Sequence, residues 1–363
     1  MAVSPEELDR AEAVLESVRK NWLKKPGVTG VDLGFKWKGG QMTDTLSIRV
    51  HVARKKLNIE LNEMELFPTE IQGIPVDVIE ASYAAQTSAT SKPEMAVEGR
   101  GKRYDEIPLG VSVGSRYATA GTLGAKVIDQ ATGAEMILSN WHVLAGQKNV
   151  KPGLPIWQPG WIDGGTRVEN TIAELSRWVL GPYDAAVARI NGARKVKNET
   201  VEGRPITKVT VPKLGMRVWK SGRSTGLTEG FVDGIRMTAP ILYPGVGTRF
   251  LEGVFRIIPR PRSIRDEMSI GGDSGSVWVD EESGAAIGLH FAGETGNSPE
   301  HALAHDINLI LDHLRVKMAS RSSRRAPRPA PRRAPGPTTR NRRSDSFWRW
   351  VSFYMQKWFV VKK

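Results

Sequence analysis

Residues 269–279 read SIGGDSGSVWV and place Ser274 between an aspartate and a glycine. Glycine, aspartate and serine are common turn formers, because glycine accepts a positive φ and the two polar side chains bond their own backbone. A tight turn therefore explains the stretch about as well as a nucleophile does. A serine hydroxyl becomes a nucleophile only when a neighbouring base takes its proton and a third group orients that base. The question is whether a suitable histidine and aspartate lie elsewhere in the chain.

Two further stretches supply such groups. In ILSNWHVLAG (137–146) an apolar strand ends in polar residues and is followed by His142. In GPYDAAVARI (181–190) a Gly-Pro turn places Asp184 at the start of an apolar strand. Each alone fits a packed histidine or a turn cap. Three such coincidences in one region of the chain are less plausible than one triad, so we predict catalysis by His142, Asp184 and Ser274.

The region that holds these residues has the pattern of a mainly β protein. From about residue 107 to 300, short apolar runs alternate with Gly, Pro, Asn and Asp, which is typical of a sandwich or of barrels. Residues 301–318, HALAHDINLILDHLRVKM, have helical spacing and predict a closing helix. We expect His301, His305 and His313 to be solvated or capping residues there, since no metal-ligand spacing accompanies them.

The first 82 residues form a different pattern. Ser4 can cap a helix, Pro5 suits its first position and Glu7 completes a capping box. Alternating strands follow, so residues 1–82 are predicted to be a small, separately folded α+β domain for regulation or assembly. His51 falls on the polar side of its strand and is expected to face solvent. Residues 83–106 lose periodicity and are predicted to be a linker.

The net charge of +13 belongs almost entirely to the C-terminal tail, because residues 319–363 hold 13 Lys and Arg and one Asp. Residues 319–346 are rich in Arg and Pro and are predicted to be a disordered linker. Residues 347–363 carry an aromatic, amphipathic segment. We expect the tail to dock on an anionic membrane surface or a protein partner. Folding back onto the barrels is the next alternative, and nucleic acid is the least favoured partner because no nucleic-acid-binding fold is visible.

Composition also limits the chemistry and the compartment. The chain has no cysteine, which excludes disulfides, thiol catalysis and thiolate zinc sites. We expect no metal and no cofactor. The acidic, helical start shows no signal-peptide pattern and no apolar run approaches the roughly 20 residues that span a bilayer. A cytoplasmic location is therefore expected, with the tail peripheral to a membrane.

The three motifs resemble those of the chymotrypsin/trypsin superfamily of serine proteases. The segments SNWHVLAG, DAAVARI and GGDSGSVW carry the resemblance, which covers about residues 107–315 and implies a protease domain at 107–318. The stretch GVSVGSRYATAGTLGAKV and the N-terminal unit are similar to the cysteine-free trypsin-like peptidases that include the plant narrow-leaf protein and bacterial relatives. The resemblance implies a double β-barrel with its active site in the cleft between the barrels.

The resemblance also implies roles for individual residues. His142 would be the general base, Asp184 its orienting partner, and the N–H groups of Gly272 and Ser274 the oxyanion hole. The protein would be an endopeptidase that cleaves protein or peptide substrates through an acyl-enzyme, either constitutively or after a trigger. The alternative is a catalytically silent scaffold or binding protein with the same fold.

Two features depart from the secreted digestive relatives. Those enzymes pair the aspartate before the serine with a freshly cleaved N-terminus, but no Ile-Val-Gly-Gly-like start is present here, so Asp273 must be held in another way. The specificity pocket also differs by ungapped counting, with Met268 six residues before the serine, although Asp266 and Glu267 lie close enough for a small gap to change this. His290 lies where acid-specific relatives bind a substrate carboxylate, and packing beneath Phe291 is an equally good explanation of it.

Overall fold

The computed structural model describes residues 3–56, 62–85, 95–97, 99–165, 168–260, 267–295 and 300–320. The predicted linker at 319–346 and the aromatic segment at 347–363 fall almost wholly outside these ranges. Predictions about the tail therefore remain predictions. Within the described residues, the helices are too short or too polar to cross a membrane.

The N-terminal region contains one long helix and the first strands. Helix α1 begins where the sequence predicts, because Ser4 Oγ accepts the Glu7 N–H at 3.1 Å and Pro5 occupies the first turn. The elements are α1 (Pro5–Trp22), β1 (Val28–Lys38), β2 (Gln41–Val52), β3 (Glu70–Ile71), β4 (Ile74–Glu80) and β5 (Tyr83–Ala85). A 3₁₀ turn at Glu63–Glu65 precedes β3.

A first sheet is built mainly from residues 112–190. Its described order is β21-β9-β10-β13-β12-β11-β7-β8. Its strands are β7 (Ser112–Ser115), β8 (Gly121–Thr122), β9 (Ala125–Asp129), β10 (Glu135–Ser139), β11 (Pro155–Trp157), β12 (Thr171–Leu180), β13 (Asp184–Ile190) and β21 (Val316–Met318). The short helix α2 (Trp141–Leu144) follows β10, and 3₁₀ turns lie at Trp161–Asp163 and Val168–Asn170. A parallel pair, β6 (Glu106–Leu109) and β14 (Lys195–Thr200), stands apart from this sheet.

A second sheet closes into a ring. Its strands pair in the order β15-β18-β19-β20-β17-β16, and β16 pairs back onto β15. The bounds are β15 (Arg217–Gly222), β16 (Gly226–Tyr243), β17 (Gly247–Pro259), β18 (Val277–Asp280), β19 (Ala286–Glu294) and β20 (Ala302–Asp306). Helix α3 (Ile307–His313) links β20 to β21. The predicted mainly β fold class is thus confirmed.

The N-terminal strands continue this second sheet. Strand β1 pairs antiparallel with β16, matching Leu33 to Ile235, and the sheet runs on through β2, β4 and β3. Leu15 of α1 lies in one apolar core with Phe255 and Trp278. Residues 1–82 therefore share a sheet and a core with the strands that follow, and the predicted boundary at residue 82 remains a prediction.

Part of the predicted linker is regular structure. Residues Tyr83–Ala85 form β5, which pairs with β19 at Ala292–Glu294. Arg100 is buried and donates to the Gly110 carbonyl at 3.0 Å and to Ser221 Oγ at 2.7 Å. The polar composition of residues 83–106 concealed these contacts, because the partners lie far away in sequence.

The predicted closing helix is shorter than expected, and the expected exposure of three of the four histidines is wrong. Residues 302–306 form a strand between β17 and β19, and the helix is confined to residues 307–313. His301 and His305 are buried as a result. His51 is also fully buried. Its Nε2 lies 3.0 Å from Asp32 Oδ1, and its ring contacts the Tyr83 hydroxyl. His313 is exposed in the last turn of α3, where it contacts the Tyr183 ring at a centroid distance of 5.5 Å.

Candidate active site

His142 and Asp184 meet at one end of the first sheet. Strands β10 and β13 are antiparallel neighbours with Ser139 opposite Ala186, so the end of β10 lies beside the start of β13. The chain leaves β10 through Asn140, whose amide donates to the Asp184 carbonyl at 2.7 Å. It then enters α2, which carries His142. This geometry follows from the sequence, because both apolar strands stop at polar residues that face each other.

The two side chains form a buried hydrogen-bonded pair. His142 Nδ1 lies 2.5 Å from Asp184 Oδ2, and the His142 backbone N–H donates to Oδ1 at 3.2 Å. Burial raises the pKa of Asp184, but His142 and the Tyr243 hydroxyl outweigh it and leave that pKa lowered. Asp184 is therefore an ionised acceptor, and it fixes the His142 tautomer with the proton on Nδ1.

The structure brings the Ser274 turn against the segment that carries His142. Gly121 separates them, since a Cβ there would lie 2.4 Å from Val143 Cγ2 and 2.9 Å from the Ser274 carbonyl oxygen. The Ser274 carbonyl accepts the Thr122 N–H at 2.8 Å. Gly275 has φ +94°, and a Cβ on it would lie 2.0 Å from Ser139 Oγ. Positions 121 and 275 therefore have room only for glycine.

The hydroxyl of Ser274 and the outer nitrogen of His142 are not yet hydrogen-bonded to each other. Ser274 Oγ lies 3.4 Å from the Phe291 carbonyl. Within the described ranges, His142 Nε2 is buried and has no hydrogen-bond partner. Catalytic hydrogen bonds are often long or misaligned in the absence of substrate. A base nitrogen without a partner is available to receive a proton.

The peptide between Gly271 and Gly272 is held in one orientation. Ser224 Oγ donates to the Gly271 carbonyl at 2.8 Å, and Thr122 Oγ1 donates to the Gly272 carbonyl at 2.8 Å. Because C=O and N–H point in opposite directions across a trans peptide, the Gly272 N–H points away from Ser224. Gly272 has φ +101° and is buried, and no described residue accepts its N–H. Buried backbone donors are normally paired in folded proteins, so this N–H is a candidate donor to a bound group.

Asp273 is held by a buried lysine from β15. Lys220 Nζ lies 3.4 Å from Asp273 Oδ2, and Thr225 Oγ1 donates to the same oxygen at 2.8 Å. The backbone N–H groups of Ser224 and Thr225 donate to Oδ1. Burial raises the Asp273 pKa, but Lys220 and the Thr225 hydrogen bonds leave it lowered. Asp273 is thus neutralised by an ammonium group from within the described chain.

Replacing Lys220 by methionine is expected to lower the free energy of unfolding by about 3–5 kcal/mol, because a buried carboxylate loses its counter-ion. Urea denaturation of the full chain measures this. Lys208→Met is the matched control, since Lys208 is exposed and should change stability by about 0.5 kcal/mol or less. Adding Asp273→Asn to Lys220→Met should restore part of the loss. Equal stability of the two lysine variants would contradict the ion-pair role.

The three predicted pocket residues are all buried. Met268 belongs to the core of the second sheet, and Glu300 accepts its backbone N–H at 2.8 Å. Phe291 stacks on the His305 ring at 4.2 Å. Burial, with the charge of Lys220, lowers the pKa of His290 to about 3. A neutral imidazole can offer a substrate carboxylate a hydrogen bond but no charge, and the acid-binding pocket remains a prediction.

Lys220, Tyr243 and His305 contact the site and were not predicted. One feature of the sequence could have indicated that Lys220 is buried: it lies on the same face of its strand as the apolar Val218. His305 accepts the Asp184 N–H on Nε2 at 3.1 Å and is bonded through Nδ1 to the Glu252 carbonyl. Burial lowers its pKa to about 4, so it is neutral. Such long-range partners leave no periodic trace in the sequence.

Comparison with solved structures finds trypsin-like serine proteases. Nocardiopsis protease has 18% identity and a TM-score of 0.44, with 59% of this chain and all of that chain covered. Thermobifida fusca protease A has 19% identity and a TM-score of 0.44, with 59% and 99% covered. A glutamic-acid-specific serine protease, described as using a histidine triad in substrate binding, has 18% identity and a TM-score of 0.43, with 58% and 99% covered. These are the proteins that the motifs resemble, so the predicted resemblance is confirmed.

Among curated proteins, the chain is similar to Protein NARROW LEAF 1 of Oryza sativa subsp. japonica. The two are 28% identical over 318 residues, which cover 76% of this chain and 53% of that protein. The chain thus spans about half the length of the curated relative it matches. No family model matches the chain.

Proposed function

We propose that the protein is a serine endopeptidase that uses His142, Asp184 and Ser274. The buried His142–Asp184 hydrogen bond of 2.5 Å, next to the turn that carries Ser274, supports this most directly. His142 Nε2 takes the Ser274 proton as Oγ attacks the substrate carbonyl, and it later gives that proton to the leaving amine. Asp184 stays ionised and stabilises the imidazolium. Water then hydrolyses the acyl-enzyme by the same proton transfers in reverse order.

The oxyanion that forms in each step needs fixed donors. The N–H of Gly272, which no described residue accepts, supports this role together with the N–H of Ser274 in the same turn. One such donor is typically worth about 3 kcal/mol of transition-state stabilisation. The hydroxyls of Ser224 and Thr122 hold the Gly272 peptide in place, so the donor needs no reorganisation when charge develops.

The proposal extends to the pocket, where Met268, His290 and Phe291 would select the substrate side chain. Profiling with a peptide library tests it. Preference for Glu or Asp that disappears in His290→Ala supports a carboxylate contact. Cleavage after Lys or Arg that is unchanged in this variant overturns it.

A fluorophosphonate probe tests the proposed function on the full chain. We expect one covalent adduct, mapped by peptide mass spectrometry to Ser274. Ser276→Ala is the matched control and should label normally. The Ser276 hydroxyl has no hydrogen-bond partner within the described residues, so its removal leaves no described group unpaired. Absence of labelling in folded protein, with and without added cell extract, would favour the silent scaffold over an enzyme that waits for a trigger.

We also propose that the basic tail docks the protein on anionic lipid. The full chain should co-sediment with vesicles that contain phosphatidylserine, whereas a chain ending at residue 320 should not. Each basic residue near the surface adds about 1 kcal/mol of attraction, and salt should weaken it. Equal partitioning of both chains would exclude the lipid partner and leave the protease proposal intact.

A further inference from the structure

A tyrosine hydroxyl from the second sheet reaches the orienting carboxylate of the first. Tyr243, the last residue of β16, donates to Asp184 Oδ2 at 2.7 Å. The same oxygen lies 2.5 Å from His142 Nδ1. The carboxylate is therefore held from both sheets at the atom that contacts the imidazole.

The surroundings of Tyr243 leave it little freedom. The residue is 1% exposed, and its ring packs edge-on against Trp141 with centroids 6.2 Å apart. It lies 6.3 Å from the His142 ring. Burial and the charge of Asp184 raise the Tyr243 pKa well above its usual value, so the hydroxyl remains a donor at every working pH. Its geometry and its protonation state both suit a permanent hydrogen bond.

We propose that Tyr243 is a positioning residue for the reaction, which holds the Asp184 carboxylate so that Oδ2 faces His142. This proposal rests on the proposed function. The tip of the β16–β17 hairpin would then help to position the candidate catalytic residues, since it places one hydrogen-bond donor of the second sheet against Asp184 of the first. Any shift of that hairpin would move Asp184 relative to the imidazole.

The hydrogen bond also sets the strength of the Asp184–His142 interaction. A donor on Oδ2 disperses part of the carboxylate charge. Without it, the carboxylate attracts the imidazolium more strongly. The acid limb of the pH profile of kcat/KM should then move to higher pH. A residue that only fills space would not move this limb.

Tyr243→Phe in the full chain tests the proposal, because the ring and its packing remain and only the hydroxyl is lost. We expect kcat to fall about tenfold or more, with KM nearly unchanged, as a hydrogen bond to a charged group is lost. The acid limb should shift upward. Tyr183→Phe is the matched control, since its ring lies beside His305 and no described contact joins its hydroxyl to Asp184.

The NMR resonance of the His142 Nδ1–H proton reports on the same hydrogen bond without turnover, so it separates this proposal from the proposed function. A downfield shift of this resonance in Tyr243→Phe supports the positioning role even in a protein that fails to react with the fluorophosphonate probe. An unchanged resonance, with kcat within twofold of the native chain and of Tyr183→Phe, would overturn it. If Tyr243→Phe is destabilised, its spectrum is compared at a temperature where urea curves show the chain fully folded.

Discussion

Alanine at Ser274 or at His142 is expected to lower kcat for peptide hydrolysis by about 10⁶-fold, and the double variant should be no slower than either single one. The proton that leaves Ser274 has no acceptor without His142, and His142 has no proton to take without Ser274. Each change thus removes the same step. Single-turnover and steady-state assays of the three variants measure the non-additivity directly.

Two outcomes would contradict a triad. Multiplying rate losses in the double variant would mean that Ser274 and His142 act independently. A loss in Ser276→Ala as large as that in Ser274→Ala would move the nucleophile two residues along the chain. Activity that remains in all three variants at about 10³ over the uncatalysed reaction fits the proposal, because oxyanion donors and substrate binding persist.

The sequence predicts the parts of the candidate site better than it predicts the packing around them. The ends of β10 and β13 are marked by local changes from apolar to polar residues, so His142 and Asp184 could be found without a structure. The Gly272 and Gly275 conformations follow from the turn itself. In each case the signal lies within a few residues of the group it describes.

The errors came where distant strands decide the outcome. Residues 302–306 carry helical spacing, but pairing with β17 and β19 on both sides overrides it. His51 sits on the polar side of an alternating strand, yet that side is covered by Tyr83 from β5. Lys220 and Tyr243 contact Asp273 and Asp184 across 53 and 59 residues. Sequence periodicity carries no information on such pairs.

The junction between the N-terminal strands and the second sheet contains a buried ion cluster. Arg49 donates through Nε to Asp32 at 2.8 Å and through one terminal nitrogen to Asp233 at 2.8 Å. Arg256 donates through Nε to Asp233 at 2.8 Å. A Cβ on Gly234 would lie 1.9 Å from the Arg49 guanidinium, so the backbone leaves room only for that group. The cluster joins β1 and β2 to β16 and β17 in the buried interior of the sheet.

Arg49→Met provides a measure of this junction. The substitution removes the arginine that pairs with buried Asp32 and one of the two arginines that pair with buried Asp233. We therefore expect the free energy of unfolding to fall by about 3–5 kcal/mol. Arg54→Met is the matched control, because Arg54 is exposed two residues beyond the end of β2 and should shift stability by about 0.5 kcal/mol or less. Similar urea curves for the two variants would show that the ion cluster does not stabilise the junction between the N-terminal strands and the second sheet.

Removing the N-terminal region altogether should have the largest effect on folding. A chain that begins near residue 100 loses the strands that cover β16 and exposes Val232, Ile235 and Phe255 to water, while Asp233 keeps only Arg256. We expect this chain to be insoluble, whereas a chain ending at residue 320 should stay soluble and react with the fluorophosphonate probe. A soluble, probe-reactive chain from residue 100 would instead support an independent domain at 1–82, because its barrel would then fold without the shared core.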